Sequence, residues 1–154
     1  MSLANIKTKL QAQEGFTIVE LLIVIVVIAI LAAITIVSYN GITARANTSS
    51  AQSAASTVIK KAEAYYADGS TTGYPTARTQ LTASGASNTP YYVTGINITT
   101  AFTSAPTGGP STVTMYGCGS TGIAVDYWDY SNSTRARITT GSGCSTTVGQ
   151  GTLL

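Results

Sequence analysis

The sequence predicts an α+β protein: a long N-terminal helix, transmembrane in its first half and amphipathic in its second, packed on a small antiparallel β-sheet head. Three observations carry this. An apolar run covers residues 16–37 with Thr17, Glu20 and Thr35 as its only polar members. Apolar residues then recur at three- and four-residue steps as far as residue 66. After residue 90 the pattern changes to short alternating stretches separated by Gly, Ser and Thr. The chain therefore divides into a leader (1–15), a hydrophobic helix (16–40), an amphipathic helix half (41–68) and a head with its connecting loop (69–154).

The leader is short and polar, and its Lys7 and Lys9 predict a cytoplasmic N-terminus with the body exported. The apolar run of 22 residues spans ~33 Å as a helix, enough to cross a bilayer. It is longer than the apolar core of a secretory signal. A plain anchor would fit the length but leaves two features unexplained, Gly15 at the polar–apolar border and Glu20 just inside the run. A carboxylate in such a run costs free energy and needs a partner. Cleavage after Gly15 would free an amine on Phe16, and that amine on a neighbouring subunit can pair with Glu20 so that neither charge stays alone.

Gly15-Phe16-Thr17-Ile18-Val19-Glu20-Leu21, with its basic leader and aliphatic helix, resembles the class III signal of type IV pilins and pseudopilins. The resemblance covers roughly residues 7–40. It implies a prepilin peptidase that cuts after Gly15 and N-methylates Phe16, and a role for Glu20 in assembly. The partners it implies are other copies of the subunit in a helical filament, the pilus assembly machinery, and membrane lipid before assembly. The implied protein is a single-pass precursor in the cytoplasmic membrane that ends in an extracellular filament. Many family members carry a proline in this helix; here the first breaker is Asn40-Gly41, so any melted segment is expected near Gly41.

Beyond Gly41, Ala51, Ala54, Ala55, Val58, Ala62, Tyr65 and Tyr66 define one apolar face. Tyr65 and Tyr66 are expected to pack helix on head, and Lys60 and Lys61 to lie on a solvated face. The helix should stop at Ala67-Asp68-Gly69. Residues 69–90 read as a loop with a helical turn at 76–81. Strands are expected at 91–99 with a bulge at Gly95, at 112–118, at 122–130 and at 135–140, joined by hairpin turns at 119–121 and 131–133. Val113 and Met115, and Ile123, Val125 and Tyr127, are the core-facing sets.

Only 9% of the residues are charged and the net charge is +2, which argues for neither nucleic acid nor an acidic partner. Arg135 and Arg137 share a strand face and are expected to be solvated, with DNA phosphate as an unsupported alternative. The chain has no histidine, which removes the usual general base and metal ligand, so no enzyme and no cofactor are expected. Asp126 and Asp129 are too few for calcium and are expected to be solvated strand and turn residues. Cys118 and Cys144, in an exported body, are expected to pair; the competing readings are two free thiols or a two-ligand metal fragment. Asn47, Asn97 and Asn132 begin N-x-Ser/Thr patterns of a kind that a Ser/Thr-rich chain forms by chance.

The expected function is structural, a pilin subunit of a type IV pilus. The alternatives are a type II secretion pseudopilin or minor pilin with the same anchor, and a monomeric membrane-anchored binding module that keeps its leader.

Overall fold

The structure, a computed structural model, describes residues 15–69 and 72–154. The leader lysines Lys7 and Lys9 lie outside the described residues. The chain divides into two units, Met1–Tyr39 and Asn40–Leu154. Helix α1 (Ile18–Ala67) contributes to both.

In the first unit every described residue is exposed, including Phe16, Leu21, Leu22, Ile30 and Leu31. This stretch of α1 is long and apolar enough to cross a membrane. Within residues 18–37 the one hydroxyl, on Thr35, donates to the Leu31 carbonyl oxygen. That bond leaves no unpaired side-chain donor in the aliphatic stripe. The helix runs through Asn40 and Gly41 without interruption. A single glycine costs only ~1 kcal/mol of helix propensity, too little to break a helix extended on both sides.

In the second unit the helix buries Ala51, Ala54, Ala55, Val58, Ile59 and Ala62. These residues share one core with Val113, Met115, Ile123, Val125 and Tyr127 of the sheet. Residue Ala67 ends the helix and Gly69 turns the chain at φ +70°. Helix α2 (Thr79–Thr82) and a 3₁₀ turn (Ser84–Ala86) follow. Buried Leu81 and Val93 meet there, and the Val93 N–H donates to the Leu81 carbonyl at 2.8 Å. Tyr65 stands edge-on to Tyr91 at 5.0 Å, and Tyr66 stacks on Tyr74 at 4.8 Å. Lys61 is not simply solvated: its ammonium donates to the Pro90 carbonyl at 2.6 Å.

The sheet has the order β1 (Asn97–Thr99), β2 (Thr112–Gly117), β3 (Gly122–Asp129), β4 (Thr134–Gly141), with β5 (Thr152–Leu153) also on β2. It is mixed, not wholly antiparallel as expected: β1 runs parallel to β2, pairing Asn97 with Thr112 and Thr99 with Thr114. A parallel neighbour needs a return segment of about a dozen residues, and residues 100–111 supply it, ending in a 3₁₀ turn at Gly109–Ser111. The expected strand over 91–99 shortens to three residues because Gly95, at φ +73°, turns the chain instead of bulging. Strand β5 pairs Leu153 with Tyr116 and Thr152 with Gly117, on the part of the β2 edge that β1 leaves open.

Both faces of β2 and β3 are buried. Helix α1 covers the face with Val113, Met115, Ile123 and Val125. The opposite face carries Thr112, Thr114, Ala124, Asp126 and Trp128, and residues 142–151 fold across it through bonds that Arg137 donates and Asp126 accepts.

Candidate functional site

The first candidate site is the start of α1. Gly15 and Phe16 lie outside the helix and are exposed, and a side chain built on Gly15 would meet nothing within 4 Å. Among the described residues, none covers the Gly15–Phe16 peptide bond. Thr17 and Glu20 form a reciprocal capping box. The Thr17 N–H donates to Glu20 Oε2 at 2.9 Å and the Thr17 hydroxyl donates to the same oxygen at 2.7 Å. In return the Glu20 N–H donates to Thr17 Oγ1 at 3.2 Å. Two amides at the helix start are thereby satisfied within one chain. Glu20 Oε1 makes no hydrogen bond among the described residues.

Sequence reasoning placed Glu20 correctly at the head of the apolar run but missed Thr17. The signal was present as Thr-x-x-Glu directly before an apolar helix. The carboxylate is a helix cap as well as a candidate for pairing between subunits. The cap holds it one turn from Phe16 with one oxygen still open.

The second constellation is the Cys118–Cys144 disulfide, with Cα atoms 5.0 Å apart and a sequence separation of 26. It joins the end of β2 to the segment after β4, across the first residue of β3. Gly122 and Gly141 are register partners beneath it. A Cβ on Gly122 would stand 3.0 Å from Cys144 Sγ and 2.6 Å from the Ser142 carbonyl, so only glycine lets the bridge close over the strand.

The expectations for the acidic and basic residues of the head need correction. Asp126 and Arg137 are buried, not solvated, at 0% and 3% side-chain exposure. The two are register partners on β3 and β4. Arg137 Nε donates to Asp126 Oδ1 at 2.5 Å and Nη2 to Oδ2 at 3.2 Å. Nη1 reaches the carbonyl oxygens of Ser145 at 3.2 Å and Gln150 at 2.8 Å. The Gly149 N–H donates to Asp126 Oδ2 at 2.9 Å, and the Tyr116 ring lies 4.9 Å beneath the guanidinium. A carboxylate and two carbonyls thus converge on one cation, and that cation is Arg137. Arginine suits the role because its fork satisfies several oxygens at once. The period-two pattern placed Arg137 on this face, but the strap that buries it comes from later in the chain.

Asp129 is the last residue of β3, where it accepts bonds from the turn that follows, and it is tied to the helix as well. Its Oδ1 accepts from Thr48 Oγ1 of α1 at 3.0 Å and from the Ser131 N–H at 2.9 Å, and Oδ2 accepts from Asn132 Nδ2 at 2.7 Å. The Asn132 side-chain amide, then the Thr48 hydroxyl and the backbone amides of Ser131 and Asn132, hold its carboxyl below the usual aspartate range. This cap stabilises a hairpin turn in which Ser133 adopts φ +51°. Among the described residues no group of three or more His, Cys, Asp or Glu is placed to hold a metal ion.

Residues 10–36 match the family model described as the prokaryotic N-terminal methylation motif. No solved structure matches the chain. The matched segment includes Gly15, Phe16, Thr17 and Glu20 and ends within the apolar part of α1. A single N-terminal apolar helix bearing this motif fits a membrane-anchored precursor. The head, with its mixed sheet, disulfide and internal ion pair, lies outside the match. At its N-terminus the chain carries the class III signal that marks type IV pilins and pseudopilins.

Proposed function

We propose that the protein is a structural subunit of a type IV pilus. It enters the cytoplasmic membrane as a single-pass precursor oriented by Lys7 and Lys9. A prepilin peptidase removes residues 1–15 and methylates the new N-terminus at Phe16. The subunit is then packed by the assembly machinery into an extracellular filament through residues 16–40, with the head on 69–154.

One observation carries this reading. Within a matched methylation motif, an exposed Gly15–Phe16 bond sits beside a carboxylate that is held in place and still has one oxygen free. An anchor alone would use that carboxylate as a helix cap through Oε2, but would have no use for the second oxygen. In the filament, helix packing replaces lipid contact, and packing among aliphatic side chains gives little preference for one height over another. An amine from one subunit meeting Glu20 of the next supplies that preference, because each charge left unpaired among apolar helices is penalised. Further along, Thr35 already bonds to its own helix, so it offers no comparable marker.

The test is Glu20→Ala in a strain that makes surface filaments. Mass spectrometry of the membrane fraction should show a normal methylated Phe16 terminus, while electron microscopy shows filaments reduced to background. Wild-type filament yield from the processed variant overturns the assembly role. A mature chain that still begins with residues 1–15 overturns the pilin reading as a whole.

A further inference from the structure

We propose that the free edge of β4 is a docking site for an extended peptide segment that carries an acidic side chain. The Cys118 N–H donates to the Gly122 carbonyl oxygen at 3.0 Å. Bonded and non-bonded residues alternate along an antiparallel ladder, so Gly122, Ala124 and Asp126 turn their backbone groups toward β2. Ile123, Val125, Tyr127 and Asp129 then turn theirs toward β4, where their register partners are Thr140, Ile138, Ala136 and Thr134. The bond from the Ser142 N–H to the Thr121 carbonyl, at 2.9 Å, keeps the same alternation. Arg135, Arg137 and Thr139 therefore point their N–H and C=O groups away from the sheet. β4 ends the strand order, and none of these backbone groups has a hydrogen-bond partner among the described residues.

Two observations point to an occupant of this chemistry. Sheet edges left to solvent are usually guarded by short length, proline, lysine or a bulge. β4 runs for eight residues with no proline and no lysine, and its register with β3 is unbroken. The charge of Arg137 does not guard it, because Asp126 balances that charge on the far face. The second observation is Arg135, the one other charge on the strand. It is half-buried, and its guanidinium rests against the strap, where a Cβ on Gly149 would come within 3.1 Å of Nη2. No acceptor for its N–H groups lies among the described residues. Beside it is a hollow of about 360 Å³ whose walls include Trp128, Ser133, Thr134 and Thr147. A strand added to the edge places every second side chain on this face. A carboxylate opposite Arg135 then supplies the missing acceptor. Backbone bonds give such docking its affinity, and side chains give it a choice of sequence. Nothing in this inference depends on the fate of the N-terminal helix.

The probe is a fluorescein-labelled peptide, Thr-Thr-Val-Thr-Val-Asp-Thr, whose residues in antiparallel register meet β4 from Thr140 back to Thr134. The full-length chain in phosphocholine micelles is added to it, and fluorescence anisotropy should rise to saturation. N-methylation of the second and fourth peptide residues removes the amides that donate to the Thr139 and Arg137 carbonyls. It should weaken binding by about tenfold or more, the worth of two hydrogen bonds. N-methylation of the third and fifth residues, whose amides face away from β4, should leave binding within about twofold. Exchanging the peptide's Asp for Lys should weaken binding about fivefold, and Arg135→Gln should erase that preference. The methylated peptides test the edge on the unaltered chain, so the result stands if Arg135→Gln folds poorly. No saturable rise overturns the proposal, as does an equal loss from the two methylated peptides. A preference for Asp that Arg135→Gln retains overturns the assignment to an acidic segment. Dimers of the chain that the peptide splits would make the occupant a second copy and overturn the assignment to a foreign one.

Discussion

Replacing Arg137 by alanine should loosen the far face of the sheet as severely as losing the disulfide. The substitution removes both bonds to Asp126 and both bonds to the carbonyls of Ser145 and Gln150. Asp126, fully buried, keeps only the Gly149 N–H. Removing one partner of a buried ion pair costs about 3–5 kcal/mol, because the survivor is left buried and uncompensated. For comparison, a bridge with a sequence separation of 26 contributes ~3.5 kcal/mol in the chain-entropy model. The assay is urea unfolding of the full chain in micelles, followed by Trp128 fluorescence. With a denaturant slope of about 2 kcal/mol per molar, the midpoint should fall by about 2 M. The companion variant joins Asp126→Leu to Arg137→Met. It exchanges the pair for apolar groups and should recover most of the loss, because no charge is then stranded. A loss below about 1 kcal/mol for Arg137→Ala alone would refute the reasoning, and so would a double variant no better than the single one.

Cys144→Ala should cost ~3.5 kcal/mol by the same urea assay. The Gly149 amide should nonetheless stay protected in hydrogen exchange, since it bonds to Asp126 and not to the bridge; rapid exchange there would show that the strap depends on the disulfide. Asp129 has a depressed carboxyl pKa in the folded state. Its contribution is therefore present above the unfolded aspartate value and is lost as pH falls through the lower folded value. The melting temperature of wild type should drop across that acidic window more steeply than that of Asp129→Asn, and parallel curves would remove Asp129 from the acid response.

The helix and its two characters are legible in the sequence because side-chain spacing along a helix is a local property. Ala51, Ala54, Ala55, Val58 and Ala62 fall on the buried face that their spacing predicts. Core residues on β2 and β3 are legible for the same reason, from their alternation. Strand order is not. The parallel β1–β2 pair follows from how residues 100–111 close, and β5 from an edge left vacant on β2; neither leaves a periodic trace. Arg137 is the clearest case. Its position on the strand is readable, but its burial is decided by residues 145–150, whose carbonyls carry no side-chain signal. Thr17 differs again, since its capping pattern lies in plain view and is overshadowed by the cost of a charge in an apolar run.

The arginine at the centre of the far face has a consequence for the conditions under which the head keeps its shape. A loop closed around an ion from solution is held only as tightly as that ion's concentration allows, and its stability rises and falls with ln(1 + [L]/Kd). Here the cation is carried by the chain itself, between Asp126 and the carbonyls of Ser145 and Gln150. Its occupancy has no concentration term. Chelators and dilution have nothing to withdraw from this cluster of oxygens, so the closure of the strap around Arg137 does not depend on the concentration of an ion.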